Sequence, residues 1–391
     1  MSATSSKTLP PPIFYLDVNL ATLDSGLQPI SKLVNRNSPI VDCPSDYYVS
    51  VARFICSTQK IPLWQPQLNL TSPNNNGLNT IYSITLTFYD NTTEDVYTSA
   101  QTYLQIVNTD TTATAPVAPV VAQPTNGYGN VYSYFTICYM INTALATAYA
   151  DLVSKAPAGS LYVDPPYMTW NPINQLFSMT GYPLSQYDPS AVPASVVNIY
   201  FNNNFRQFLL GWETLIYNNL VDSPTGQDIV LVMQNLNNNI SPIPVPPAVA
   251  DETTTTLIMS QAISSPFCFV ALSRIQVLAS LPLAYPYLTD VPLSVAQTGL
   301  NNNTESILLD FIVNYADGGA SAYQQPILYS ATSDLYTAPQ KLSGNHSINS
   351  FYVDVRWVNL QGYSTALETF GLRNASIKFA FIHKDIIEKG I

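Results

Sequence analysis

Charge is what this chain has least of. Only 10% of its 391 residues are Asp, Glu, Lys or Arg, against roughly a quarter in an ordinary soluble domain. The 14 basic residues form no run. Sequence-independent nucleic-acid binding rests on clustered cations, so direct contact with a genome is not expected. His346 and His383 are the only histidines, and Cys43, Cys56, Cys138 and Cys268 have no paired spacing. No zinc pattern exists, and the thiols are expected to be buried and free. The segment MSATSSKTLPPPIFYLD has no apolar stretch of the kind a secretory signal needs. No run approaches the ~18 apolar residues of a membrane span, so neither secretion by a signal peptide nor a transmembrane helix is expected.

Catalytic signatures are missing as well. There is no G-x-S-x-G elbow, no P-loop and no H-E-x-x-H. The 25 acidic residues are scattered, so no glycosidase-type carboxylate pair can be named. Gly127-Tyr-Gly129 mimics the start of a dinucleotide loop, but it lacks the third glycine and follows a Pro-rich stretch. His346 lies in the turn-like SGNHS, and His383 reads as a strand-end residue. No catalytic, cofactor-binding or metal-ligating residue is nominated, no cofactor is expected, and the enzyme class is set aside.

What the chain has is strand material. Hydrophobic residues make up 47%, with 26 Tyr, 30 Pro and many Asn, Ser and Thr runs, a mixture that favours strands and turns over helices. At 391 residues the chain exceeds the size at which single cores stop growing. Two domains, or one β domain with large insertions, are expected. A surface so poor in charge suits a chain that ends up surrounded by neighbours.

The stretch PSDYYVSVARFICSTQKIPLW, Pro44 to Trp64, organises the rest. A turn opens it, ten apolar-rich residues follow, and an Ile61-Pro62 step stops it. Both faces of the ten are largely apolar, which predicts a central strand covered on both sides. Thr80 to Asp90 sets Tyr82, Ile84, Leu86 and Phe88 against Ser83, Thr85 and Thr87, a half-buried strand with a hairpin mate over Asp95 to Val107. Further strands are predicted over Ile13 to Val18, Met168 to Met179, Val196 to Phe201, Ile229 to Gln234, Phe267 to Leu281, Ile307 to Asn314, Pro326 to Tyr329, Phe351 to Val358 and Ala375 to His383. Helical spacing of Phe135, Cys138, Ile141, Leu145, Tyr149 and Leu152 predicts one helix, Tyr132 to Lys155, packed on a sheet; Pro157 and Gly159 end it.

The biased segment Thr109 to Pro124 and the stretch Ser241 to Thr256 read as loops. Residues 1 to 43, with Pro10-Pro11-Pro12, read as an N-terminal arm able to tie neighbours together. The expectation is an all-β, mainly antiparallel, jelly-roll sandwich over 44–391. It would carry an inserted region at about 109–166, including the amphipathic helix, and a long loop at about 241–256.

Several stretches together resemble one family. They are PSDYYVSVARFICSTQKIPLW, MTWNPINQLFSM, VVNIYFNNNFRQFLLGW, SILLDFIVNYADGG, INSFYVDVRWVNLQGYSTALE and ASIKFAFIHKD. In that order they resemble the minor capsid, or penton, proteins of polinton-like viruses and virophages. The resemblance implies a non-enzymatic virion protein, a jelly roll with insertions. It would assemble as a homopentamer at the five-fold vertices of an icosahedral shell, beside double-jelly-roll major capsid proteins, inside the host cell. Outer loops would be free to bind a receptor or fibre. Two other readings are open: a major capsid protein with two jelly rolls split near residue 240, and a glycan-binding β-sandwich whose Tyr- and Trp-rich loops stack on sugars.

Overall fold

The computed structural model describes residues 12–20, 27–56, 61–69, 79–106, 129–162, 164–181, 184–187, 195–217, 225–226, 229–233, 240–244, 255–263, 272–289, 303–313, 326–331, 338–359, 364–370 and 375–389. In chain order the strands begin with β1 (Ile13–Asn19), β2 (Leu27–Pro29), β3 (Ser31–Asn35), β4 (Tyr47–Cys56), β5 (Asn79–Asp90), β6 (Asp95–Thr98) and β7 (Thr102–Gln105). Helix α1 (Tyr134–Lys155) precedes β8 (Tyr167–Asn171) and β9 (Leu176–Gly181). After the short α2 (Leu184–Tyr187) come β10 (Val196–Phe201), β11 (Thr214–Ile216), β12 (Ile229–Leu231), β13 (Ile240–Pro244) and β14 (Thr255–Ser260). Then follow β15 (Leu272–Ala279), β16 (Tyr287–Thr289), β17 (Asn303–Glu305), β18 (Ile307–Ile312), β19 (Ile327–Ser330) and β20 (Gln340–Lys341). The chain closes with β21 (Ser350–Asn359), β22 (Ser364–Ala366), β23 (Glu368–Phe370), β24 (Ser376–His383) and helix α3 (Lys384–Lys389). Among the described residues every ladder is antiparallel.

The sheets sort by sequence into a nest. One sheet orders β1-β24-β4-β19 with β20 also on β4, and a second orders β18-β15-β21-β22 with β3 also on β21. These two draw only on the beginning and end of the chain. Two more sheets, β11-β12-β10-β5-β6 (with β7 on β5) and β13-β14-β9-β8, draw only on the middle. The first pair packs face to face through edge-on rings, Phe351 on Phe379 at 5.6 Å and Phe54 on Phe311 at 6.1 Å. This is the jelly-roll sandwich expected from sequence. The insertion, however, is the whole middle of the chain from about residue 61 to 263, not 109–166 alone. Two tandem rolls split near residue 240 do not fit this nesting, because strands from before that point (β1, β3 and β4) pair with strands from the far end.

Within the stretch 1–43 read as an arm, residues 13–19, 27–29 and 31–35 are part of the sheets. β1 runs the full length of β24, from Ile13 against Ile382 to Asn19 against Ser376, and β3 pairs with β21. Leu16, Val18 and Val34 are in the core. Residues 1–11 lie outside the described residues. The stretch Ser241 to Thr256, expected to be a loop, contributes β13 and the start of β14 at a sheet edge, where prolines 242 and 244 are tolerated. Met168 to Met179, expected as one strand, is the hairpin β8-β9. Its turn is fixed by Asn171 and Asn174, whose side chains accept from the N–H groups of Ile173 (2.9 Å) and Leu176 (3.1 Å). Gln175 takes up the left-handed backbone there (φ 58°).

β4 explains its own doubly apolar pattern. Opposite β24 the register runs Tyr47, Val49 and Val51 against His383, Phe381 and Phe379, then slips by one residue, so that Arg53 faces Lys378 and Phe54 faces Ile377. Ala52 is the extra residue of a β-bulge. The core face is thus Tyr47, Val49, Val51, Phe54 and Cys56, all buried. The far face carries Ala52, Ala380 and Ile382, which form a small second cluster with Ile13, Ile386 and Ile387. The C-terminal helix therefore covers one end of that face, while the exposed Arg53 lies toward the other.

The insertion is built around α1. Ser133 caps it by accepting from the N–H of Phe135. Asn142 turns inward and pairs with the exposed edge of β8 as a strand would: its Oδ1 accepts from Met168 N at 2.6 Å and its Nδ2 donates to Met168 O at 2.9 Å. Tyr134 stacks on Trp170 at 4.3 Å. β5 is buried on both faces, since Ser83, Thr85 and Thr87 are as enclosed as Leu86 and Phe88, where sequence alone predicted a half-buried strand.

These packings set unequal costs. Phe379, fully buried between the two sheets, is expected to cost about 3–5 kcal/mol on truncation to Ala. Arg53→Ala, which breaks an exposed pair with Asp17, should cost under about 1 kcal/mol. Denaturant midpoints of the two variants, run side by side, measure the difference.

Candidate assembly surfaces

No reactive constellation is assembled. Among the described residues no three of His, Cys, Asp or Glu stand close enough to hold a metal ion. His383 ends β24 edge-on to Tyr47 at 5.4 Å, its Nδ1 accepting from the N–H of Asp385 at 3.3 Å. His346 is exposed in its turn. Cys56 and Cys138 are buried and free; Cys43, expected to be buried, is exposed; Cys268 lies outside the described residues. A hollow walled by Trp64, Tyr82, Ile137, Phe205 and Phe208 measures about 30 Å³, far below what a ligand needs.

Charge sorts the surfaces of the two parts. Of the 25 acidic and 14 basic residues, 12 acidic but only two basic ones, Lys155 and Arg206, fall between residues 61 and 263. The insertion carries a net −10 of the chain's −11, while the flanking jelly roll nearly balances. Among the described residues several of the jelly roll's charges form ion pairs. Asp17 meets Arg53 at 3.4 Å and Lys378 at 3.6 Å on the outer face of one sheet. On the other sheet Arg274 meets Asp310 at 3.6 Å and Arg356 meets Asp354 at 2.9 Å.

The C-terminal helix is clasped in the same way. Glu388 accepts from Lys341 Nζ at 3.1 Å and from Tyr48 Oη at 3.1 Å, and Lys384 binds Asp46. The hydrogen bonds from Lys341 and Tyr48 hold the Glu388 carboxyl below its ordinary range, and the bond to Glu388 raises the Lys341 ammonium. A buried amide chain joins the two parts of the protein: Asn359 Nδ2 donates to Gln65 Oε1 at 3.2 Å, and Gln65 Nε2 donates to Asn130 Oδ1 at 3.0 Å.

Apolar exposure is concentrated differently. Ile312 and Leu328 protrude from strands at the edges of the jelly-roll sheets, and Leu33 sits beside Tyr352 on paired strands. On the insertion the exposed large side chains include Phe135, Tyr139 and Val153, all on α1. Helical spacing alone had placed Phe135 with the buried stripe; it is 61% exposed. Sequence periodicity finds α1 but cannot tell its covered face from its exposed one, because both are apolar.

The thiols report on this arrangement. Burial pushes Cys56 and Cys138 up to about 12, so both stay protonated near neutral pH, where the thiolate is the reactive form. Mass mapping after iodoacetamide treatment at pH 8 should find Cys43 alkylated in the folded protein, and Cys56 and Cys138 alkylated only after unfolding.

Comparison with known proteins gives one answer. The family model for the Sputnik minor capsid protein V18/19 matches residues 14–383. The V18 protein of Sputnik virophage is 38% identical over 145 residues, which cover 35% of this chain and 80% of that protein. A chain of the Sputnik virophage structure solved by cryo-electron microscopy superposes with a TM-score of 0.78 at 25% identity, covering 97% of this chain and 99% of the other. The crystal structure of the mavirus penton protein shares the fold, with a TM-score of 0.59 at 16% identity over 95% and 99% of the two chains. With a family model matching almost the whole span of its jelly roll and acidic insertion, this chain belongs to the Sputnik V18/19 family of minor capsid proteins, structural components of the virion.

Proposed function

We propose that five copies of this chain close into a ring at each five-fold vertex of an icosahedral shell, in contact there with the major capsid protein. The observation that carries the reading is the full-length structural likeness to a protein named as the mavirus penton, together with membership of a minor capsid family. A closed five-membered ring needs heterologous contacts, two different faces of each copy that fit one another. The ion pairs that the jelly roll forms within itself reduce the unmatched charge that such faces would have to bury, and burying unmatched charge is what makes a contact costly. The role is structural, and no reaction is assigned to it.

The charge split orients the subunit. An insertion of net −10 is repelled by packaged nucleic acid, so it faces outward, and the balanced jelly roll sits in the shell. The outward loops are then the ones available to a receptor or fibre.

Two measurements test this. Native mass spectrometry of the purified chain should show a species of five chain masses; a three-chain species would instead favour a major-capsid arrangement. Lys155 is the sole lysine between residues 61 and 263. In intact particles a membrane-impermeant amine reagent should modify Lys155 in preference to Lys378. Equal or reversed labelling overturns the outward orientation.

A further inference from the structure

Helix α1 has two faces, and one of them is left open. Ile137, Ile141, Leu145, Ala148 and Leu152 are buried, and the helix packs on β5, β7 and β8. The opposite side runs Phe135, Tyr139, Thr143, Ala146, Ala150 and Val153, all exposed, at the three- and four-residue steps that place side chains in one line. A solvated helix face ordinarily carries charged and polar side chains. This one carries none with a charge: residues 111–150 contain no Asp, Glu, Lys or Arg.

The hydroxyls of its threonines Thr143 and Thr147 are also withdrawn. Thr143 Oγ1 donates to Tyr139 O at 2.8 Å and Thr147 Oγ1 to Thr143 O at 2.9 Å, which ties each hydroxyl to the helix and leaves the methyl as the exposed part. Asn142 spends its amide on Met168. The first charges appear at the C-terminal end. There Asp151 and Lys155 meet at 2.8 Å, and the carboxylate also accepts from Ala100 N at 2.6 Å. The result is a strip about 27 Å long with two rings at one end and a shallow trough lined largely by methyl groups along its middle.

Charge selects the occupant. The unit bearing α1 has a net −10, and like-charged surfaces repel at separations up to a Debye length, about 8 Å at physiological salt. Two such units held side by side in a ring can make dry contact only where neither presents charge. A cationic partner would gain nothing from an uncharged strip, because the acidic groups that would attract it lie elsewhere on the unit. We infer that the exposed face of α1 packs against the insertion of the neighbouring copy in the ring, an inference that rests on the pentameric reading above.

The test uses the full chain. Ala146→Glu/Ala150→Glu places two carboxylates in the trough without removing any buried contact, and Ala146→Gln/Ala150→Gln adds similar bulk without charge. Phe135→Ser/Tyr139→Ser removes the rings instead. Thermal melts of dilute, dissociated protein check that each variant folds. The wild type is expected as a pentamer. Dilution series read by mass photometry should place the midpoint of ring dissociation about tenfold or more higher in concentration for the Glu pair, because buried unpaired charge is costly. The Gln pair and the ring-removal variant should shift it less.

A wild-type pentamer with unshifted variants would overturn the α1 contact and leave the pentameric reading standing. A wild type that never forms five-chain species would overturn both. Rings that form normally but fail to enter particles would assign the face to the major capsid protein and also overturn the inference.

Discussion

The ladder between β4 and β24 is the constraint on which the molecule depends. It joins residues 47–56 to residues 376–383, and β1 then extends the sheet from the other side of β24. Val49, Phe54, Ile377, Phe379 and Phe381 are wholly buried along this seam, and at about 25 cal/mol per Å² of apolar surface such a seam is the main stabilising term of the sandwich. The bulge at Ala52 keeps it continuous. Without a one-residue slip, Phe54 and Cys56 would point away from the core that Val49 and Val51 enter, since a strand alternates sides strictly. The slip keeps all of them inside and leaves Ala52 to the C-terminal helix.

Because that seam is formed by the two ends of the chain, the middle is free to be something else. The path leaves the sandwich after β4. Trp64 exchanges backbone hydrogen bonds with Val131, and Gln65 sits between Asn130 and Asn359. A buried amide that is fully hydrogen-bonded orders its neighbours, whereas one left unpaired is costly. That chain of three amides fixes where the acidic insertion meets the balanced jelly roll. The charges on the jelly roll are mostly exposed pairs worth little individually. Their value lies in leaving few unmatched charges where neighbours must approach.

The strands were legible because alternation is a local property. Val196 to Phe201 and Phe351 to Val358 stand in the structure nearly residue for residue as read. What escaped was everything that depends on a partner. The doubly apolar β4 implied cover on both sides, and only its register against β24 reveals a bulge. Residues 13–35 read as an arm beside three prolines, because the strands that hold them lie more than three hundred residues away. Pro242 and Pro244 argued for a loop, and an edge position made them compatible with a strand. The contact surfaces were the least legible. Phe135 carries the same periodic signal as Leu145, and nothing in its spacing says that one is exposed and the other buried. The likeness to a capsid family came from several strand-and-turn stretches in order, which is information about assembly that no single residue holds.

The nested topology also has a consequence in time. A ribosome finishes the middle of the chain long before it releases the partners of the first strands, so the ladders among β5 to β14 can pair while β1, β3 and β4 still wait for β21 and β24. A prematurely terminated product would therefore hold the middle ladders without the strands that pair with β1, β3 and β4. Such a product would lack the closed sandwich, because the seam that closes it is translated last.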